Sequence, residues 1–152
     1  MTPVEAAISQ LGVQEATGNN DGVPAERYMR GDELAWCAGF VLWCLDQAKD
    51  ARIAHDDKTH YRCRAVTGFM ARAREVNRLR LVPYTPKGGD VIFFGNSARD
   101  VGQRGNHMGL VERVDTGATE VTVHTIEGNT SNKVARRSYR LSDPRIIGYA
   151  TL

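Results

Sequence analysis

Apolar residues recur at helical spacing over the first half of the chain and at strand spacing over the second, with the change of period near Pro83 and Pro86. Thr2 and Pro3 supply a helix cap and a first helical residue, and Val4, Ile8 and Leu11 follow on one face until Gly12 stops them. Gly18-Asn19-Asn20-Asp21-Gly22 and Pro24 are turn chemistry, so residues 12–33 read mostly as loop. From Ala35 to Ala48, the residues Cys37, Val41, Cys44, Leu45 and Ala48 line one face of a buried helix. Residues 50–64 are polar and without period, and Val66, Phe69, Met70, Ala73 and Val76 predict a weaker helix over 65–76.

Strand patterns then take over. Asp90–Phe94 follows Gly88-Gly89, Met108–Val114 follows a glycine-containing loop, and Glu120–Ile126 follows the turn segment Asp115–Thr119. Val134–Leu141 and Ile146–Thr151, separated by Ser142-Asp143-Pro144, complete about five strands. Helices first and strands afterwards, joined largely by tight turns, predict an α+β fold with an antiparallel sheet.

Length and composition narrow the class. The chain has 152 residues, 20 Lys+Arg against 18 Asp+Glu, and three cysteines. That length suits one domain over 1–152 with its own core, without a second unit and without help from disulfides or metal. An odd cysteine count with no C-x-x-C argues against a disulfide scaffold and a ribbon-type zinc site, and leaves at least one thiol free. Cys37 and Cys44, two helical turns apart, are separated by roughly 10 Å, too far for a disulfide. The longest apolar run, Ala35–Leu45, is eleven residues, short of the roughly 18 that a membrane span needs. Met1–Glu5 carries neither a basic segment nor an apolar core, so no secretory signal is expected. Six arginines between Arg62 and Arg80 invite a polyanion, but aromatic interleaving is absent; a solvated helix face is the plainer reading, and no nucleic-acid partner is expected.

The chemistry is concentrated at one end of the predicted sheet. A hairpin centred on Gly117 pairs residues equidistant from it, which sets His107 opposite Glu127, Gly109 opposite Thr125 and Val111 opposite Val123 on a small, mostly apolar face. An odd shift of register would part the histidine from the carboxylate. An imidazole whose one nitrogen is held by a carboxylate or amide has the other free to move a proton. Asn129, a diagonal neighbour, is the alternative orienter. Cys37, in the first turn of its helix, has the best position for a nucleophile, because unsatisfied N–H groups and the helix dipole favour a thiolate there. Asp32 and Glu33 oppose that charge. A buried small hydrophobe is the alternative reading of Cys37. Cys63, flanked by Arg62 and Arg64, is set where a thiol pKa can fall, yet has no obvious base.

Four segments carry a resemblance. Trp36-Cys37-Ala38-Gly39-Phe40-Val41 with Trp43-Cys44-Leu45, Gly89–Phe94, His107–Val111 and Ile126–Thr130 resemble, in order, the motifs of CHAP domains, the cysteine- and histidine-dependent amidohydrolases and peptidases related to NlpC-like and papain-like thiol hydrolases. The likeness runs from about Leu11 to Tyr149. It implies a papain-like fold in which N-terminal helices pack on the antiparallel sheet. It also implies Cys37 as nucleophile, His107 as base, Glu127 or Asn129 as orienter, Trp36 as a substrate contact, and cleavage of an amide bond in bacterial peptidoglycan, by an N-acetylmuramoyl-L-alanine amidase or an endopeptidase. Many relatives place Gln before the cysteine; Leu34-Ala35-Trp36 stands here, leaving Tyr28 or a loop amide as second oxyanion donor beside the Cys37 N–H.

A phage endolysin fits this picture: a monomer made in the cytoplasm, released through a partner holin to act on the cell wall. A wall-degrading effector or an autolysin domain fits as well. The rivals are a catalytically silent wall-binding or phage structural module and an intracellular thiol amidase acting on small peptides. No cofactor is expected. Asn19, Asn20, Asp21 and Glu26 offer oxygens to calcium, which some family members bind, but match no ligand pattern, and His55, Asp56, Asp57, His60 and Cys63 lack a standard zinc spacing. His124 alternates away from the His107 face.

Overall fold

The computed structural model describes residues 1–96 and 105–152. Among the described residues five helices, α1 (Pro3–Ser9), α2 (Val23–Tyr28), α3 (Cys37–Gln47), α4 (Asp57–Cys63) and α5 (Val66–Glu75), precede the sheet. The strands are β1 (Leu79–Leu81), β2 (Val91–Phe94), β3 (His107–Thr116), β4 (Val121–Thr130), β5 (Lys133–Arg140) and β6 (Ile146–Ala150). They form one antiparallel sheet in the order β1-β6-β2-β3-β4-β5. The fold is α+β, as the change of period predicts.

Three short elements depart from expectation. Helix α2 lies inside the segment read as loop, and α4 inside the one read as irregular; each is under two turns and too short to show a period. Asp56 caps α4, accepting from Thr59 N at 2.7 Å, while the Thr59 hydroxyl reaches back to the Asp56 amide. The three-residue β1 adds a sixth strand beside β6. The glycine-containing loop expected ahead of β3 lies in part outside the described residues.

The sheet has two apolar faces. Val91, Phe93, Met108, Leu110, Ile126 and Ile147 pack with α3, which lies across β3 and β4. Ile92, Phe94, Val111, Val123 and Tyr149 point the other way and are covered by Val82, Tyr84, Tyr139 and Leu141. Helix and sheet approach closely: a Cβ on Gly128 would come within 2.6 Å of Phe40 Cβ, so glycine is required there to seat α3. The arginine-rich segment serves the fold. Arg62 pairs with Glu75 through two bonds of 2.9 and 2.7 Å, and Arg72, Arg78 and Arg80 donate to backbone carbonyls.

The β3–β4 register differs from the expected one in a consequential way. Gly117 N bonds Glu120 O and the first pair is Thr116 with Val121, three positions away from pairing centred on Gly117. Three is odd, and alone it would put His107 and Glu127 on opposite faces. A bulge at Glu112, between the pairs Arg113–His124 and Val111–Thr125, takes one residue back. The remaining shift of two preserves the face but makes His107 and Glu127 diagonal rather than directly opposed.

Candidate active site

Cys37 is the first residue of α3, 6% exposed, with Trp36 at the N-cap and no capping side chain. The first bond of the helix closes from Phe40 N to Trp36 O at 2.8 Å, which leaves the Cys37, Ala38 and Gly39 amides without partners in the helix. Cys37 thus stands in the first turn, where open amides and the positive end of the helix dipole favour a thiolate.

His107 opens β3 and pairs in register with Phe94, whose ring stacks on the imidazole at 5.8 Å and 30°. His107 Nε2 bonds Glu127 Oε1 at 2.7 Å. The imidazole also lies near enough to Cys37 for the thiol to favour its charged form. With Nε2 committed to the carboxylate, Nδ1 is the nitrogen left for the thiol. Glu127 is 1% exposed, and its other oxygen accepts from Thr125 Oγ1 and from Tyr139 Oη at 2.8 Å. Three donors on one buried carboxylate meet the demand that burial makes on a charge. Gly109 makes the arrangement sterically feasible, since a Cβ there would stand 2.6 Å from Glu127 Cγ.

Burial pulls the His107 pKa down, but hydrogen bonds and charge interactions with Cys37 and Glu127 outweigh it and lift the value to about 9. Burial, with the Glu127 carboxylate adding to it, drives the Tyr139 phenol well above its ordinary range, so it stays a donor.

A cleft of about 370 Å³ opens beside the sulfur, between the start of α3 and the start of α5, with Leu34, Arg64, Thr67 and Asn106 among its lining residues. A thiol, an imidazole oriented by a buried carboxylate, and open helix amides at a cleft make up the equipment for acyl transfer.

The CHAP domain family model matches residues 29–129, two thirds of the chain, and spans Cys37, His107, Glu127 and Asn129. The chain belongs to the CHAP family. Its members are typically cysteine- and histidine-dependent amidohydrolases, and the chain is accordingly a hydrolase of the peptidoglycan amidase or peptidase type. No curated protein and no solved structure matches it.

Within this CHAP domain, the structure gathers Cys37, His107 and Glu127. Asn129, at the end of β4, has a left-handed backbone, φ 55°, and the His107 ring nitrogen that it would hold is taken by Glu127. Trp36 does not reach the cleft. It is fully buried, stacks on Tyr28 at 5.5 Å and donates from Nε1 to Glu15 Oε1 at 2.8 Å, so the expected substrate contact is corrected to a core role. Tyr28 is likewise committed, donating to Gln10 Oε1 at 2.8 Å, and is not the second oxyanion donor. Cys63 is fully buried and its pKa is pushed up to about 11 by burial, against the pull of Arg62 and Arg72. Burial also raises Cys44 far above the thiol range.

Of the oxygens considered for calcium, those of Asp21 are used locally, accepting from the Thr17 amide at 2.9 Å and from its hydroxyl. Among the described residues no three His, Cys, Asp or Glu side chains gather as a metal site, and His60 bonds Asp46 at 2.9 Å. Phe94 and Gly109, which lie inside the motif-bearing segments, join the site, and so do Thr125 and Tyr139, which no motif announces. The spacing of Thr125 two before Glu127 on one face of a strand is the only local signal among them.

Proposed function

We propose that this CHAP domain hydrolyses an amide bond in the peptide of bacterial peptidoglycan, as an N-acetylmuramoyl-L-alanine amidase or an endopeptidase, with Cys37 as nucleophile, His107 as proton carrier and Glu127 as its orienter. The wall-lysing work of a phage endolysin is the role this chemistry fits. The observation that carries the reading is Cys37 lining a cleft at the start of α3, in electrostatic contact with a His107 whose other side is bonded to the buried Glu127 at 2.7 Å.

In this mechanism the Cys37 thiolate attacks the scissile carbonyl carbon, and the oxyanion that forms is met by the open amides at the start of α3. The C–N bond breaks as imidazolium His107 delivers its proton to the leaving amine. Water, deprotonated by His107, then attacks the thioester; the acid product leaves and Cys37 is regenerated. Glu127 keeps its proton count throughout and stabilises the imidazolium. A carboxylate with three donors supports Glu127 over Asn129 in that role.

The test is turnover of purified cell walls, with mass spectrometry of the released muropeptides. Wild type is expected to release new amino termini or unlinked glycan, and Cys37→Ser to lose at least a thousandfold in rate, the scale of a lost nucleophile. Digestion by Cys37→Ser at the wild-type rate overturns the thiol mechanism. Cleavage of free dipeptide amides without cleavage of walls assigns the chain to small peptides instead.

A further inference from the structure

The carboxylate that orients His107 is itself held from the edge of the sheet. β5 is the edge strand, and its Tyr139 pairs in register with Val123, four residues before Glu127 on β4. The Tyr139 hydroxyl reaches past Thr125 and donates to Glu127 Oε2 at 2.8 Å. The same oxygen accepts from Thr125 Oγ1, while His107 Nε2 holds Oε1 at 2.7 Å. Phe94, 5% exposed, packs against both ends of this link: its ring lies 4.7 Å from that of Tyr139 and 5.8 Å from that of His107.

Glu127 is 1% exposed, so its negative charge is divided among these donors and not shared with water. Each hydrogen bond to a carboxylate favours its charged form and makes it a weaker base. What Tyr139 and Thr125 draw from Oε2 is therefore withheld from His107. Cys37 faces His107 from α3, and Arg137 and Arg145 are the cations that act on Tyr139. Arg145 Cζ stands 5.7 Å from the Tyr139 ring centroid, tied to Asp143 by bonds of 3.1 and 2.8 Å. The two arginines make the phenol a stronger donor, but burial and Glu127 outweigh them and it keeps its proton.

We propose that Tyr139 is a positioning residue that acts through Glu127: its hydroxyl holds back part of the carboxylate's charge, so that His107 binds its proton firmly enough to pair with the Cys37 thiolate and loosely enough to pass it on. The proposal deepens the mechanism above and rests on it. His107 must give its proton to the leaving amine and then, neutral, take one from the water that attacks the thioester. A Glu127 released by Tyr139 would hold the imidazolium too tightly for the second step.

The experiment uses the full chain as wild type, as Tyr139→Phe and with 3-fluorotyrosine at position 139, a phenol of nearly the same shape and greater acidity. NMR titration of the His107 imidazole in a Cys37→Ala background reads the histidine without substrate. Tyr139→Phe is expected to raise its titration midpoint by about 0.5–1 pH unit, a part of one charge-assisted hydrogen bond. In the Cys37 chain, kcat on cell walls at pH 7 should then fall by about three- to tenfold with KM unchanged, because the neutral imidazole is scarcer by that factor. The fluorinated residue should move the midpoint down. A midpoint unchanged or lowered in Tyr139→Phe overturns the proposal, since a ring that only fills the sheet edge leaves the titration where it is. Where Tyr139→Phe does not fold, the 3-fluorotyrosine chain decides by itself, a lowered midpoint supporting the proposal and an unchanged or raised one overturning it. Walls left intact by wild type defeat the peptidoglycan reading separately, and the titration still tests Tyr139.

Discussion

Exchanging Glu127 for Gln changes one charge and almost no volume. The carboxylate accepts from His107 on one oxygen and from Thr125 and Tyr139 on the other. A glutamine can keep its carbonyl toward the imidazole and present its NH2 to two hydroxyls that are able to accept. The charge, however, is lost. The His107 pKa of about 9 against an ordinary 6.5 amounts to about 3 kcal/mol in favour of the imidazolium, supplied by Cys37 and Glu127 against burial. If Glu127 accounts for about half of it, Glu127→Gln brings the alkaline limb of kcat/KM down by about one pH unit and lowers activity above pH 8 by about tenfold. The same pKa sets a stability trend. A raised histidine pKa stabilises the fold fully below about pH 6.5, and that contribution is lost as pH rises through about 9. Urea unfolding of wild type should therefore show this decline between pH 6.5 and 9, and Glu127→Gln should show less of it. The assay is the pH profile of wall clearing, paired with the pH profile of iodoacetamide inactivation, which follows the ion pair without substrate. An alkaline limb unmoved in Glu127→Gln, or moved further by Asn129→Ala, would refute the assignment of Glu127 as orienter.

Two other predictions follow from the packing. Gly109→Ala places a methyl group 2.6 Å from Glu127 Cγ, which is backbone-proximal and cannot swing clear; activity should fall at least tenfold with a loss of about 1–3 kcal/mol in thermal unfolding, and near-normal kinetics would show that the carboxylate is not held where described. Native labelling with iodoacetamide at neutral pH, mapped by peptide mass spectrometry, should modify Cys37 and spare Cys44 and Cys63, both fully buried with raised pKa values; comparable labelling of all three would contradict their burial.

What could be read in advance was what depends on near neighbours. The helix from Cys37 has an unbroken apolar run, and the pairing of His107 with Glu127 needs only one hairpin, so both were visible in the spacing. The hairpin register was visible only in outcome: the wider turn and the bulge at Glu112 displace it by three and then return one, and no residue pattern announces either step. Roles fixed by distant partners stayed hidden. Trp36, a substrate contact by the resemblance, proves buried because Glu15, from a loop 21 residues earlier, takes its indole N–H. Tyr139 lies in the predicted strand Val134–Leu141 with nothing to mark it until the pairing of β5 with β4 brings its hydroxyl to Glu127. Cys63 shows the limit of arguing from flanking charge: Arg62 and Arg64 turn to Glu75 and Asp32, and the thiol between them faces the core.

The long β3–β4 hairpin also separates chemistry from its own tip. His107 stands at one end of a ten-residue strand and Thr116 at the other, roughly 30 Å away at the usual rise per residue. The bulge lies between them and has already absorbed one residue of mismatch. Gly117–Glu120 is thus a natural attachment point: a targeting module, a fluorophore or a surface tether spliced there would hang from the molecule at the far end from the cleft, leaving the ladder that carries His107 and Glu127 to close as it does now.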